Sequence, residues 1–443
     1  MVTIKNKLKL KLQEVLAGYE VYNYLNFLLE SQFYIEKEIK ELQTQNFLKL
    51  AHHTINNVPY FSQYFKENNI STSNFNTLDD LKKFPVMTKD LYRNNFPDSV
   101  VDIHAKKKDL VLNYTSGTSG NPFTFYYSIF NRGHQAARLL RYYEWTGRKN
   151  RELMVRFWAS RDTTLKKKIF HKFFDKIFTI NAFDLSESTF PFDYEKIIRK
   201  NPLIAEGYTS TVYEFAMLLK KHNLQLNIPS MILSGETLYD FQTDLIEERF
   251  NTQIYNRYGC REFGAIAQEC SERTGLHISE EDLIVEILDD ENNPVANGEK
   301  GNIVITSLDN YVMPLIRYKI GDIGALSDES CPCGRSLKMF KNVEGRVSDV
   351  IFTPTGKHLS LFYFTSITRK LMEYIYEFQV NQKKSNKDLI LKIIPSSKYT
   401  KDIENQLISS IKSLDESLNI EIEIVDDIPR EENGKKKLLK IIE

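Results

Sequence analysis

The pattern of hydrophobic positions changes twice along the chain. From Lys5 to about Phe65, apolar residues recur every three or four positions with charged residues between them, which predicts helices. From Asp109 onward, short apolar runs alternate with amphipathic segments, which predicts an α/β core with parallel strands. After about Leu283 the order becomes strand, turn, strand, which indicates a smaller β-rich region.

The last hundred residues carry a pattern of their own. A hairpin-like segment around Pro354-Thr355-Gly356 precedes a helix pattern before Glu377, then apolar strand patterns and a second helix pattern, Asp402–Leu414. We therefore predict an α/β protein with a large domain of mixed sheets and helices over residues 1–344 and a small α+β domain over 345–443. Within the large domain, we expect a helical region over 1–108 and a β-rich subdomain over 283–344.

Composition narrows the class of protein. The 443 residues are 42% hydrophobic, which is enough apolar material for a full core and excludes a disordered chain. Lys+Arg and Asp+Glu both number 59, so no net charge favours nucleic acid or an anionic membrane as partner. No apolar run approaches the roughly 18–20 residues that span a bilayer. We expect a cytoplasmic protein without a membrane span, and the helical N-terminal region makes a homodimer plausible.

A loop rich in glycine and hydroxyl groups follows the first predicted strand of the core. Two glycines three positions apart let the backbone bend tightly and turn its N–H groups toward one point, and four neighbouring hydroxyls can donate to phosphate oxygens. This pattern indicates a phosphate-binding loop, although an ordinary Ser/Gly-rich turn is an alternative. The residues are Thr115, Ser116, Gly117, Thr118, Ser119 and Gly120.

Cysteine and histidine are spaced as in metal sites. Cys270, His277, Cys331 and Cys333 form a Cys-x6-His-x53-Cys-x-Cys pattern. Three thiolates and one imidazole are tetrahedral Zn²⁺ ligands, and four protein ligands predict a structural site. Reduced free thiols are the alternative. The other histidines, His134 among them, show no ligand spacing, and we interpret them as surface or packing residues.

Taken together, the motifs resemble those of the adenylate-forming enzymes, and most closely the phenylacetate–CoA ligases and their capsule-biosynthesis relatives. The resemblance covers nearly the whole chain, and its motifs follow one another in the same order. They are the loop Thr115–Pro122, the segment Ser234-Gly235-Glu236, Tyr258-Gly-Cys-Arg-Glu-Phe-Gly264, Arg317-Tyr-Lys-Ile-Gly-Asp322, Gly345-Arg-Val-Ser-Asp349 and Ile428-Pro-Arg-Glu-Glu-Asn-Gly-Lys435. Some phenylacetate–CoA ligases also carry a matching zinc site.

The resemblance implies an ATP-dependent ligase that activates a small carboxylic acid. An acyl-adenylate forms on Mg²⁺, the small C-terminal domain rotates, and a thiol (CoA or a carrier protein's pantetheine) or an amine then takes the acyl group. Transfer to an amine or a sugar or polysaccharide precursor is one alternative. A non-catalytic nucleotide-binding homologue is another, because Asn121 and Arg261 depart from the usual pattern of the family.

The same resemblance implies which residues surround the AMP group. Ser234, Gly235 and Glu236 end a predicted strand and would lie under the adenine, largely through backbone. In the next motif, Tyr258 offers a stacking face, and Gly259 permits a ligand to approach the backbone closely.

Charged residues would carry the chemistry. Glu262 would supply an oxygen ligand for Mg²⁺, and Arg261 would replace a hydroxyl contact to the α-phosphate with a cationic one. Asp322, after a tight glycine turn, would accept both ribose hydroxyls, and Arg346 would reach ribose or phosphate. Lys435 would bridge the carboxylate and the α-phosphate in the first half-reaction and offset their repulsion.

Overall fold

The structure is a computed structural model, and it confirms the α/β class, with helices before Leu110 and both helices and strands after it. It describes residues 21–115, 123–148, 152–158, 176–346, 350–355, 358–360, 364, 367–368, 371, 373–431 and 436–443.

The α-helices are α1 (Tyr22–Ser31), α2 (Glu36–Asn57), α3 (Pro59–Glu67), α4 (Lys89–Asn95), α5 (Ile129–Trp145), α6 (Phe190–Lys200), α7 (Thr209–Lys221), α8 (Asp240–Phe250) and α9 (Lys401–Lys412). Short 3₁₀ helices lie at Thr72–Asn74, Leu78–Lys83 and Lys107–Asp109. None of these described helices is long and apolar enough to cross a membrane.

The strands are β1 (Leu110–Tyr114), β2 (Thr124–Ser128), β3 (Met154–Trp158), β4 (Ile177–Asn181), β5 (Ile204–Tyr208), β6 (Ser230–Ser234), β7 (Gln253–Cys260), β8 (Gly264–Glu269), β9 (Leu276–Ile278), β10 (Leu283–Leu288), β11 (Gly301–Ser307), β12 (Tyr318–Leu326), β13 (Met339–Arg346), β14 (Val350–Phe352), β15 (His358–Ser360), β16 (Ile375–Lys383), β17 (Leu389–Pro395), β18 (Ile420–Ile424) and β19 (Leu439–Ile442).

The chain divides into two compact units. The first comprises Met1–Glu152 and Tyr255–Glu344, and the second comprises Leu153–Ile254 and Gly345–Glu443. One of the division points therefore falls at the predicted boundary, Glu344–Gly345. That residues 345–443 move as a separate domain stays a prediction.

The first unit packs its helices against a largely antiparallel sheet. Its strands follow the order β10-β11-β12-β13-β9-β8-β7, and β1 and β2 form a separate antiparallel pair. Helix α2 buries Phe47 and Leu50 on one face, and the helix ends where Pro59 begins α3, as a proline at the first helical position favours. Phe61 and Phe65 of α3 join the same core. Burial of these rings removes apolar surface from water and is the main driving force for this arrangement.

The second unit begins with a parallel sheet, which confirms the predicted strand type for this region, whereas Leu110–Tyr114, which was expected to be parallel as well, pairs antiparallel with β2. Its strands follow the order β4-β3-β5-β6, and all three pairings are parallel. Parallel strands are covered on both faces, which explains why β3, β5 and β6 are mostly apolar; the charged residues Arg156 of β3 and Glu206 of β5 pair with each other. Phe157 of β3 packs with Phe215 of α7 and Phe250 of α8 in the core.

The C-terminal part of the second unit is a small α+β arrangement, as predicted. A four-stranded sheet in the order β18-β17-β16-β19 combines one antiparallel pair with two parallel pairs. Helix α9 contributes Leu407 and Ile411 to a core that it shares with Val380 and Leu391 of the sheet.

Candidate active site

The turn between β7 and β8 presents the most specific predicted motif. Cys260 pairs with Gly264, so the three residues between them form a tight turn. A Cβ atom on Gly259 would lie 2.4 Å from the Gly264 carbonyl oxygen, and Gly264 itself has a φ of +70°. Both positions therefore need glycine for the hairpin alone. A ligand approach at Gly259 stays a prediction.

Tyr258 of β7 and Asp322 of β12 are in contact. The Tyr258 hydroxyl donates a hydrogen bond of 2.7 Å to Oδ2 of Asp322. Burial, and then the neighbouring Asp322 carboxylate, raises the pKa of Tyr258 well above its ordinary value, so the phenol stays a donor. The expectation that Asp322 follows a turn was wrong. Asp322 lies inside β12, where Gly321 has a φ of +93° and the pairing with β11 shifts register.

Glu262 is a nearly buried carboxylate at the tip of the β7–β8 turn. One of its oxygens, Oε1, accepts a hydrogen bond of 3.3 Å from the Tyr318 hydroxyl. Burial, with Glu262 beside it, raises the pKa of the Cys260 thiol well above its ordinary value, so this cysteine stays protonated and is no nucleophile. The Arg138 guanidinium donates to the Phe263 carbonyl at 2.9 Å and stabilises the turn.

Arg261 lies on the same turn and contacts an aromatic ring. Its guanidinium carbon is 5.9 Å from the centre of the Tyr114 ring, at the outer range of a cation–π contact. Tyr114 ends β1, so Arg261 reaches toward the strand that leads into the predicted phosphate loop.

The ends of the predicted phosphate loop are held together. The Thr115 N–H donates to the Phe123 carbonyl at 2.9 Å, and the Phe123 N–H donates to Thr115 Oγ1 at 3.1 Å. The Phe123 ring stacks on Tyr318, with 6.0 Å between ring centres. The base of the loop therefore lies beside the tyrosine that binds Glu262. The predicted phosphate ligands Ser116, Gly117, Thr118, Ser119 and Gly120 lie outside the described residues.

In the second unit, the segment after β6 contacts the start of α7. Glu236 accepts hydrogen bonds from the Ser210 N–H at 2.7 Å and from its hydroxyl at 3.0 Å. A carboxylate at a helix N-terminus is stabilised by the unpaired N–H groups and the helix dipole there. Ser234 ends β6, and Gly235 has a φ of +83°. These contacts give Glu236 a structural role that its motif did not predict.

The chain next to Lys435 contacts the same helix end. The Lys436 N–H donates to Ser210 Oγ at 3.4 Å, and its ammonium lies 3.0 Å from Glu377 and 3.6 Å from Glu214. Arg430 also binds Glu214, and it donates to the hydroxyl of Thr211, the residue after Ser210, at 3.1 Å. Lys435 itself lies outside the described residues, as does the side chain of Arg346.

Sequence reasoning missed two residues that order these contacts. Tyr318 orients Glu262, and Ser210 joins Glu236 to the Lys436 backbone. Tyr318 lies inside the Arg-Tyr-Lys motif and could have been noticed there. Nothing in the local sequence marks Ser210, because its partners are distant in the chain.

The cysteine and histidine set comes together as its spacing predicts. The possible ligand atoms of Cys270, His277, Cys331 and Cys333 all lie within 4.8 Å of one another. Cys270 Sγ is 3.6 Å from Cys331 Sγ, and Cys333 Sγ is 3.4 Å from His277 Nε2. The antiparallel pairing of β9 with β13, in which His277 opposes Met339, brings the two halves together.

The orientation and protonation state of His277 suit a metal ligand. Its Nδ1 lies 3.2 Å from the Leu337 carbonyl oxygen, and a proton on Nδ1 leaves the Nε2 lone pair directed at the thiol group. Burial lowers the pKa of His277 to about 4, so the imidazole is neutral at physiological pH. Burial raises the pKa of Cys270 to about 12, so metal binding would have to displace its proton. The donor set fits a tetrahedral ion.

Comparison with known proteins addresses the resemblance directly. Residues 351–441 match the CapK C-terminal domain family. Protein CapK of Staphylococcus aureus is 24% identical over 99% of this chain and 95% of its own length. A phenylacetate–coenzyme A ligase of Thermus thermophilus is 22% identical over 84% of this chain and 85% of its own. The resemblance inferred from the motifs is confirmed.

The fold agrees with this result. A crystal structure of 2-hydroxyisobutyryl-CoA ligase in complex with R3-HIB-AMP superposes with a TM-score of 0.76, at 16% identity over 92% of this chain and 90% of the other. The chain is therefore similar in sequence to CapK and to phenylacetate–CoA ligases, and it has the fold of an adenylate-forming CoA ligase.

Proposed function

We propose that the protein is an AMP-forming ligase that activates a carboxylic acid as an acyl-adenylate and passes the acyl group to a thiol such as CoA. The observation that carries this proposal is the convergence of Tyr258, Glu262 and Asp322 in one unit, with Asp322 bound to Tyr258 and Glu262 bound to Tyr318. Relatives named CapK and phenylacetate–CoA ligase, which match most of the chain, support it.

In the first step, a substrate carboxylate oxygen attacks the α-phosphorus of ATP. The new O–P bond forms as the bond to pyrophosphate breaks, and pyrophosphate leaves with the electron pair. Two anions must approach, so the ammonium of Lys435 would bridge them and offset their repulsion. The bond between Lys436 N–H and Ser210 supports this role, because it fixes the chain next to Lys435 against a residue that Glu236 also binds.

The other residues of the site would bind and orient the nucleotide. Asp322 would accept hydrogen bonds from the ribose hydroxyls, and Tyr258 would hold its carboxylate in position. Arg261 would contact the α-phosphate. Glu262, with one oxygen fixed by Tyr318, would hold Mg²⁺, which neutralises phosphate charge when bound.

In the second step, the acceptor sulfur attacks the acyl carbonyl carbon and forms the C–S bond, the C–O bond to AMP breaks, AMP leaves with the electron pair, and the thiol proton passes to water. We include in the proposal that residues 345–443 rotate between the two steps and that Arg346 reaches ribose or phosphate in one of them. We also propose a structural Zn²⁺ held by Cys270, His277, Cys331 and Cys333. When bound, this ion would cross-link the two chain segments that carry its ligands.

A second candidate keeps the first step and changes the acceptor. The match of residues 351–441 to the CapK C-terminal domain favours it, because the acceptor step depends on the C-terminal part in this proposal. An amine or a sugar or polysaccharide precursor would then take the acyl group in place of CoA.

The test is exchange of radiolabelled pyrophosphate into ATP with a panel of aromatic, aliphatic and amino acids, followed by product analysis with CoA and with hydroxylamine. Acid-dependent exchange with a thioester product is the expected result. Exchange without a thioester, but with hydroxamate, supports the second candidate. Tight ATP binding with no exchange for any acid would contradict both and indicate a non-catalytic homologue.

A further inference from the structure

A second cluster of possible ligands lies in the first unit, and none of its residues belongs to the nucleotide motifs or to the cysteine and histidine set. Asp282 immediately precedes β10, and Asp309 lies two residues beyond the end of β11. Because Leu283 pairs with Ser307 in the antiparallel ladder, both carboxylates are placed at the same end of these strands. Helix α5 brings His134 to the same point, and the possible ligand atoms of the three residues all lie within 4.8 Å of one another.

The polar groups around the cluster orient each ligand. The Tyr24 hydroxyl donates to Asp282 Oδ1. Asn131 Nδ2 and Ser307 Oγ donate to Asp309 Oδ1 at 2.6 and 2.7 Å, which directs the other oxygen, Oδ2, toward His134. Hydrogen bonds of this kind fix metal-binding carboxylates in known sites.

Aromatic rings hold the imidazole in place. The Tyr24 ring stacks on His134 with 3.4 Å between ring centres and 5° between planes, and the Phe130 ring lies 4.1 Å away. The orientation of the imidazole is therefore set by packing on its ring faces, independently of any bond that its nitrogens make.

Three buried polar atoms of the cluster have no hydrogen-bond partner among the residues that the structure describes. His134 Nδ1 and Asp309 Oδ2 face each other, whereas Asp282 Oδ2 lies 3.3 Å from Arg138 Nε. The two carboxylate side chains are only 2% and 5% exposed. His134 Nδ1 lies 3.4 Å from Asp282 Oδ1 and 3.3 Å from Asp309 Oδ2, but neither contact has the geometry of a hydrogen bond. Buried polar atoms are rarely left unpaired, so this arrangement points to a ligand.

We propose that His134, Asp282 and Asp309 bind a divalent first-row transition metal ion such as Mn²⁺. With metal–ligand bonds of about 2.1 Å, neighbouring ligand atoms lie about 3.0–3.4 Å apart, which matches the separations of His134 Nδ1 from the two carboxylate oxygens. One imidazole and two carboxylates suit such ions better than Ca²⁺ or Mg²⁺, which prefer oxygen alone.

The charges around the cluster leave room for a cation. Arg141 pairs with Glu281, and Arg138 Nε lies 3.3 Å from Asp282 Oδ2. Two guanidinium groups thus face three carboxylates, those of Glu281, Asp282 and Asp309. One negative charge remains among these five groups, and it can be balanced by a metal ion, by a proton on His134 or by Lys49, which lines the cavity beside them.

The cluster opens onto a cavity of about 540 Å³. Tyr24, Phe27, Phe130 and Tyr311 line it together with the three proposed ligands. A metal ion with three protein ligands would keep coordination positions on the cavity side, where water or an oxygen-donor ligand can bind. None of the lining residues belongs to the predicted nucleotide motifs.

The test is Mn²⁺ binding to the full chain, stripped with a chelator, reloaded with one equivalent of Zn²⁺ per chain for the cysteine and histidine set and kept free of nucleotide, followed by electron paramagnetic resonance. We expect one Mn²⁺ per chain with a dissociation constant below about 1 mM, and a nitrogen hyperfine coupling that changes when histidine is isotope-labelled. His134→Phe, which keeps the ring stack, and Asp309→Asn should each weaken binding about tenfold or more. The matched controls are His52→Phe and Asp328→Asn, which alter exposed residues of the same types.

The proposal would be overturned if the wild-type chain bound no Mn²⁺ with a dissociation constant below about 1 mM, or if the bound ion showed no coupling to a histidine nitrogen. A protonated His134 or Lys49 would then balance the charge of the cluster. Equal affinity in Asp309→Asn would overturn it as well. The wild-type measurement decides the question even if a variant fails to fold. Cys331→Ser should retain Mn²⁺ binding, and its loss there would instead indicate binding at the cysteine and histidine set.

Discussion

The hydrogen bond from the Tyr258 hydroxyl to Asp322 joins residues that are 64 positions apart in the chain. It connects the strand that carries the Tyr-Gly motif with the register shift in β12, and it is 2.7 Å long. Because the phenol stays protonated, it acts as a fixed donor that orients the carboxylate. The proposed ribose ligand therefore depends on a residue from a different motif.

Tyr258→Phe removes this donor and leaves the ring. A hydrogen bond to a charged group contributes about 1.5–3 kcal/mol, so we expect the KM for ATP in pyrophosphate exchange to rise about tenfold while kcat changes less. Asp322→Ala should have a larger effect and reduce kcat/KM for ATP about a hundredfold. The control is Tyr194→Phe, which removes a hydroxyl that donates to the Gln225 carbonyl at the surface. An unchanged KM for ATP in both site variants would refute the assignment of Asp322.

Glu262→Gln tests the proposed Mg²⁺ ligand. The amide keeps the size of the side chain but loses the charge that a hard cation needs. We expect exchange to fall about a hundredfold, and the Mg²⁺ concentration that gives half the maximal rate to increase. Glu272→Gln, at an exposed position, is the matched control. A reduced rate with an unaltered Mg²⁺ requirement would remove Glu262 from this role.

Lys435→Ala separates the two half-reactions. Loss of the ammonium should reduce pyrophosphate exchange about a hundredfold or more, because repulsion between the carboxylate and the phosphate is no longer offset. Thioester formation from a supplied acyl-adenylate should change little. Lys440→Ala, a lysine of β19 five positions further on, controls for the loss of one positive charge. Exchange at the wild-type rate in Lys435→Ala would exclude the proposed role.

Cys331→Ser should abolish the structural metal site. We expect loss of one equivalent of zinc, measured by metal analysis, and an apparent Tm several degrees lower, because metal binding contributes to folding free energy. Treatment of the wild-type protein with a chelator should reproduce the lower Tm and should have no further effect on the variant. Cys260→Ser lies outside the set and should keep the full zinc content. Equal zinc content in Cys331→Ser and wild type would contradict the prediction.

Glu377→Gln tests whether the Glu377 carboxyl makes the stability of the protein depend on pH. Burial raises the pKa of the Glu377 carboxyl above its ordinary value of 4.5; Lys436 opposes this shift, and Glu214 adds to it. The folded protein then holds the proton more tightly than the unfolded chain, so stability is lost as the pH rises from 4.5 through the raised pKa. Glutamine does not titrate. The Tm of the variant minus that of the wild type should therefore increase with pH.

A control with the opposite sign is available. Lys398 binds Glu373 and lowers the pKa of that carboxyl, so its contribution to stability is present above the ordinary value and lost as the pH falls. The Tm of Glu373→Gln minus that of the wild type should decrease as the pH rises. If both variants follow the same trend with pH, the assignment of Glu377 is wrong.

Much of the fold was readable from hydrophobic periodicity. The parallel strands β3, β5 and β6 lie at the short apolar runs that alternate with amphipathic segments, and α2 ends directly before Val58-Pro59. These features follow from local patterns, because strand and helix periods differ and proline has no N–H to donate. The position of Asp322 inside β12 was not readable, because a register shift depends on the partner strand.

The two candidate metal sites likewise differ in how far the sequence predicts them. The zinc set was predicted from spacing, since a Cys-x-Cys pair with a distant cysteine and histidine is typical of a metal site in a reduced protein. His134 was interpreted as a packing or surface residue, because neither Asp282 nor Asp309 lies near it in the sequence. Their convergence follows from the pairing of β10 with β11.

The sequence by itself determined the class of fold, the order of the motifs and the identity of the chemical groups, because each depends on residue type and short-range spacing. Only the tertiary structure decided which side chains orient which. Tyr258 and Asp322, or Ser210 and Glu236, belong to separate segments, and strand pairing and helix packing set the few ångströms over which hydrogen bonds act.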